Sequence, residues 1–250
     1  MALQNSIAQR QAKQPKEIEY KVNDEIVRLS SGMVKKYLTS GNGNVTDAEI
    51  AYFINMCKYQ KLNPLTKDAY LVKYGSQPAA IIVGKDALLK RAMHNPKYAG
   101  HQAGVIVITD AGEIEYRTGS LTLDGDKLVG GWAKTFVKGY DVPIETTVSL
   151  REYIGTKNDG RPNSMWAGKP GTMIRKVALV TSLREAFPDE LAQLYTSEEI
   201  DGGVDFDETA MAPVEMDPPA EVQEPQAAPD DYSYPNEIPS QTTMDELQDF

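Results

Sequence analysis

Apolar residues recur at Ile50, Phe53, Ile54 and Cys57, the spacing that lines one face of an α-helix. Thr46 and Glu49 precede this stripe as a T-x-x-E capping box, and Asn63-Pro64 follows its end, so a helix is predicted from Thr46 to just before that pair. Cys57 lies on the stripe and is expected to be a small core residue. Upstream the pattern is weaker. Residues 1–22 are polar without a strong period and are expected to be frayed, or helical only on assembly. Residues 23–38 read as a weak helix broken by Gly32, and the Gly-Asn-Gly-Asn run at 41–44 reads as a flexible break.

Beyond the helix the pattern changes to short apolar runs between turn residues. Strands are predicted at 69–73 and 79–83 around a turn at 74–78, then a short helix over 87–93 capped by Asp86 and stopped at Asn95-Pro96. Further strands are predicted at 105–109, 114–118, 128–137 and 144–150, joined by short turns that favour an antiparallel meander. Residues 155–172 are rich in Gly, Pro and basic side chains and carry Trp166, which reads as a long functional loop. A helix follows over 173–187, and Pro188 opens another short one ending near Tyr195. From 198 the chain is Pro-rich, acidic and poor in aliphatics, the composition of a disordered tail, and it ends in Met-Asp-Glu-Leu-Gln-Asp-Phe.

Charge sharpens this division. All 26 Lys and Arg fall in residues 1–184 with 17 of the 36 Asp and Glu, leaving that stretch at +9 (26 bases against 17 acids). Residues 185–250 hold the other 19 acids and no base, so the net −10 averages a basic body and an acidic tail. That arrangement suits a protein that binds polyanions, and a tail that only aids solubility is the plain alternative. The single cysteine excludes an internal disulfide and suits a reducing compartment. The opening residues lack the apolar stretch of a signal peptide, and no run of about 20 apolar residues occurs, so a soluble cytoplasmic protein is expected.

Few residues suggest catalysis. Gly84-Lys85 resembles the end of a phosphate-binding loop, but Asp86 replaces the hydroxyl residue and Ala79 stands where the first glycine belongs, so ATP use is not expected. His94 and His101 have no Cys or carboxylate at ligand spacing and are expected on the surface, with neither metal nor cofactor implied. Scattered acids leave a metal-dependent nuclease open as a rival. The body instead interleaves cations with aromatics: Lys58, Tyr59, Lys61, Lys67, Tyr70, Lys73 and Tyr74, then Lys90, Arg91, Lys97 and Tyr98. Trp132, Lys134, Phe136 and Lys138 share one strand face by the period of two. Single-strand binding uses such a mixture, with cations tracking phosphates and aromatic faces stacking bases. Aromatics buried in a core beside solvated lysines would give the same string. In the helix from 173, Lys176 and Arg184 lie about 80° apart around the axis with Arg175 on the far shoulder. These three either pair with acids such as Glu185 or line an anion-binding groove.

Three blocks resemble the RecT/Bet (Redβ-like) family of phage single-strand annealing recombinases. Asn63-Pro64-Leu65-Thr66-Lys67-Asp68-Ala69-Tyr70 is similar to its N-P-x-T-K-x-x-Y segment, and Val83-Gly84-Lys85-Asp86 with Lys90-Arg91 to its V-G-x-D segment and basic helix. Trp166, Pro170, Met173, Arg175, Lys176, Ala178, Arg184, Ala186 and Phe187 resemble its C-terminal block. Gly171, Thr172 and Val177 depart from basic residues found in some members, and Lys169 is a candidate replacement. The resemblance implies an α+β fold with a small antiparallel sheet packed with helices, ring or filament assembly, and action beside an exonuclease and a host single-strand binding protein. It carries phosphate contact to Lys67, Arg175, Lys176 and Arg184.

The expected organisation is a flexible or oligomerising segment over 1–44, an annealing core over 45–197 and a disordered acidic tail over 198–250. The expected function is ATP-independent binding and annealing of single-stranded DNA, in the cytoplasm of a bacterial host, by a protein that makes and breaks no bond itself. The candidate DNA contacts are Lys67, Tyr70, Lys73, Lys90, Arg91, Lys134, Lys138, Trp166, Lys169, Arg175, Lys176 and Arg184. A passive strand binder and an adaptor recruiting partners through the tail are the other rivals.

Overall fold

A computed structural model describes residues 17–157 and 159–200. The expected frayed segment before residue 17 and the expected tail beyond 200 lie outside them. The fold is α+β, with two-, three- and four-stranded sheets packed with helices.

The chain enters as a hairpin of β1 (Ile18–Val22) and β2 (Glu25–Leu29). This corrects both the period-free reading before 22 and the weak helix over 23–38. Tyr20, Val22, Val27 and Leu29 alternate with exposed Glu19, Lys21, Ile26 and Arg28, a period-two pattern that buries one face in the main core. Asn23, at φ 53°, makes the tight turn. Tyr20 Oη donates to Leu62 O (2.7 Å), fixing the hairpin on the end of the next long helix. Only the end of the expected helix exists, as α1 (Ser31–Tyr37), capped by Ser30.

After β3 (Thr39–Ser40), the glycine run is not a loose break. Gly43 N donates to Lys73 O (2.9 Å), and a Cβ on Gly41, at φ 95°, would lie 2.0 Å from that same oxygen. Glycine is there to let two backbones touch. Helix α2 (Asp47–Tyr59) carries the expected capping box and buries Ile50, Phe53, Ile54 and Cys57. Glu49 does more than cap. It also accepts from Lys73 Nζ (2.8 and 2.9 Å) and Ala79 N (2.9 Å), so one carboxylate ties α2 to both sides of the turn of the next hairpin. These donors hold its pKa down at about 2, the Lys73 ammonium contributing most.

That hairpin is β4 (Ala69–Val72) with β5 (Ala80–Val83), and β3 adds to β4 in parallel. Helix α3 (Lys85–His94) begins at Gly84, with Asp86 in its first turn rather than at the cap. The four-stranded sheet comprises β6 (Tyr98–Ile108), β7 (Ile114–Thr118), β8 (Lys127–Val137) and β9 (Ile144–Ser149) in the order β7-β6-β8-β9. A meander would run in chain order. Here β8 crosses to the other side of β6, so the strand with the longest buried run, Ala103 to Val107, sits inside and the exposed β7 forms an edge.

Short helix α4 (Leu150–Tyr153) follows β9. The expected loop over 155–172 is partly helical, with α5 (Ser164–Gly168) and the start of α6 (Pro170–Ala186) inside it. Pro170 opens α6 three residues earlier than predicted, because a first-turn proline costs no hydrogen bond. Helix α6 buries nine residues, among them Met173, Ile174, Val177 and Ala178. Across it, Thr135 and Ser182 hydroxyls pair (2.8 Å), and Arg175 Nε donates to Ala103 O (3.2 Å). After α7 (Pro188–Leu191), a 3-10 turn, Ser197–Glu199, replaces the expected start of a disordered tail.

Candidate nucleic-acid interface

Helix α6 presents its cations to three different surroundings. Lys176 Nζ meets Glu198 Oε1 (3.1 Å), and both side chains are largely covered. Arg184 grips Glu199 with two nitrogens (2.7 and 2.8 Å), donates twice to Leu194 O, and lies 4.7 Å over the Tyr195 ring. The acid partners are therefore Glu198 and Glu199. Glu185, the partner considered from sequence, accepts from Thr146 Oγ1 instead (2.9 Å).

Arg175 faces elsewhere. Among the described residues its hydrogen bond to Ala103 O uses Nε, and no ion pair engages the guanidinium. Its positive field reaches His101, as does that of Lys85 in the first turn of α3. Burial and these two cations push the His101 imidazole below its ordinary pKa. His101 is half-buried, with Nδ1 2.6 Å from Tyr98 Oη, so it is not the plain surface histidine expected. Arg175 on α6 and Lys85 on α3 thus both act on His101 of β6, a relation that local spacing could not show. The signal available in the sequence was Lys85 beside Gly84, read as a failed nucleotide loop and as part of the V-G-x-D block. Lys169, exposed at the junction of α5 and α6, lies six residues before Arg175.

The other candidates divide. Trp166 is 2% exposed and Tyr70 3% exposed, so both rings are core; Trp166 packs in the main cluster and Tyr70 with Val72 and Ile82. Lys73 is buried against Glu49. Lys67, in left-handed backbone after the 3-10 turn at Pro64–Thr66, is exposed. Lys90 is exposed and reaches Asp68 at 3.4 Å, whereas half-buried Arg91 donates to Gln60 Oε1 (3.1 Å) and Glu190 O (3.0 Å). Lys134 pairs with Glu145 across β8 and β9 (3.2 Å). Lys138, just past β8, donates to Pro96 O (2.9 Å). On the β8 face away from α6, Trp132 is 6% exposed. Its indole donates to Arg117 O (3.2 Å) beside the Tyr116 ring. Of the cations considered, Lys67, Lys90, Lys138 and Lys169 are exposed, and Arg175 and Lys85 are half-exposed, the last beside the exposed carboxylate of Asp86 (3.0 Å).

Among the described residues no helix is long and apolar enough to cross a membrane, and no three His, Cys, Asp or Glu gather to hold a metal ion.

Residues 24–213 match the model of the RecT family. The chain is also 30% identical over 138 residues to an uncharacterized protein of Ureaplasma parvum serovar 3, covering 55% of this chain and 51% of that one. It thus spans about half the length of the curated relative it matches.

Proposed function

The chain belongs to the RecT family, and on that premise we propose that it binds single-stranded DNA and anneals it to a complementary strand without ATP. The observation that carries this reading is the family match, which runs from the turn between β1 and β2 past α7 to residue 213. The site's chemistry supports it. Arg175 offers a guanidinium fork suited to phosphate, and Lys67, Lys85, Lys90 and Lys169 bring amines to the surface. Neutralising phosphates releases counterions and supplies affinity without reading bases. The bases stay available to a second strand, and pairing adds the stacking energy that drives the exchange. No step makes or breaks a bond in the protein or the DNA.

Subunits acting together on a strand, an exonuclease that exposes the strand, a host single-strand binding protein and a bacterial cytoplasm complete the proposal.

The double variant Lys169→Gln/Arg175→Gln tests this set of cations. Affinity for a dT oligonucleotide, measured by fluorescence anisotropy across a salt series, should fall about tenfold at low salt. The slope of log affinity against log salt should flatten by about 0.7 for each phosphate that is no longer neutralised. The thermal midpoint should fall only slightly, because Arg175 gives up one hydrogen bond, to Ala103 O, while the buried ion pairs of α6 belong to Lys176 and Arg184. An unchanged slope would remove both residues from the interface.

A further inference from the structure

Two of the three cations of α6 are paired with acids of the same chain. The segment 196–200, beyond α7, lays Glu198 on Lys176 and Glu199 on Arg184. It is docked at two more points and braced once within itself. Val83 N, on β5, donates to Tyr195 O (2.9 Å). Thr196 closes a capping box with Glu199. Ile200 packs on the cluster of Tyr70, Val72 and Ile82. One feature works against the docking: Glu198 Oε2 is buried with no hydrogen-bond donor among the described residues. A buried carboxylate oxygen left unpaired carries a large desolvation cost, so this strap is held less firmly than its ion pairs suggest.

A carboxylate that takes both arms of an arginine fork uses the geometry by which a phosphate would bind there. We propose that segment 196–200 is an internal mimic of the DNA backbone, with Glu198 and Glu199 occupying Lys176 and Arg184 until an incoming strand displaces them. The inference rests on the reading of the chain as a single-strand binder and adds regulation to that site. The free protein keeps two of its cations masked. A strand reaching Arg175 and Lys169 competes for the next ones along α6, and release of the strap frees the Tyr195 ring from beneath Arg184. Apparent affinity is the intrinsic affinity reduced by the fraction of molecules with the strap open.

Hydrogen exchange on the full chain, with and without a dT oligonucleotide, is the first test. DNA should speed exchange at the amides of 195–200 and at Val83, whose amide is bonded to Tyr195. The variant Glu198→Gln/Glu199→Gln should bind the same oligonucleotide about tenfold tighter at low salt. Bound DNA with 195–200 unchanged or better protected would overturn the mimic and leave the binding function intact, marking both ion pairs as purely architectural. Weaker binding by the Gln variant, at an unchanged melting temperature, would overturn it too. Failure of the unmodified chain to bind the oligonucleotide at any salt would remove the function reading, and the mimic with it.

Discussion

Gly131→Val should cost about 3 kcal/mol of stability or more and take DNA binding down with it. Gly131 sits on β8 directly beneath α6. A Cβ there would fall 2.5 Å from Ile174 O, 2.9 Å from its carbonyl carbon and 3.3 Å from Ala178 Cβ. The first two are backbone atoms of a helix packed on the sheet, so no rotamer change relieves the clash and α6 must lift. Lifting α6 moves Arg175, Lys176 and Arg184 together, since one helix carries all three. Urea denaturation followed by circular dichroism checks the effect. Gly32→Ala is the control, because nothing lies within 4 Å of the added carbon. It should leave the midpoint unchanged or raise it slightly. A Gly131→Val midpoint equal to that of the parent would mean that α6 does not pack as described.

Trp166→Ala should be nearly as damaging, at about 3–5 kcal/mol, because the ring is almost wholly buried in the main core. Composition put Trp166 in a basic functional loop, and it was a candidate DNA contact. The structure places it on α5, where Asn163 is the N-cap and its Oδ1 accepts from Trp166 N (3.1 Å). Trp166→Phe separates the two roles. It should lower the denaturation midpoint while leaving oligonucleotide affinity within about twofold of the parent, as expected for a volume-reducing change in a core. Weakened binding at an unchanged midpoint would return the ring to the DNA surface.

What the sequence revealed follows the range of its signals. The capping box of Thr46 and Glu49, the stripe ending at Cys57 and the β4–β5 hairpin are local patterns, and each appears where the spacing put it. The β1–β2 hairpin was equally local, but strands of five residues with Ile26 exposed among the polar positions blurred the period of two. The order β7-β6-β8-β9 was not legible, because it depends on which strand has two buried neighbours. The site was less legible than the fold. A lysine beside tyrosines reads alike whether it meets water or a carboxylate, and Glu49, Glu198 and Glu199 engage Lys73, Lys176 and Arg184 across 24, 22 and 15 residues. The resemblance pointed to α6, and long-range pairing decides which of its cations are held by acids.

Annealing itself is put to the test by mixing two complementary dye-labelled oligonucleotides with the protein. The reaction is run without ATP, with and without Mg²⁺, followed by energy transfer and then by a denaturing gel. An annealing protein gives faster pairing than buffer alone, in both conditions, with both strands intact. Slower pairing would contradict this in favour of a passive strand binder, and shortened strands would contradict it in favour of a nuclease.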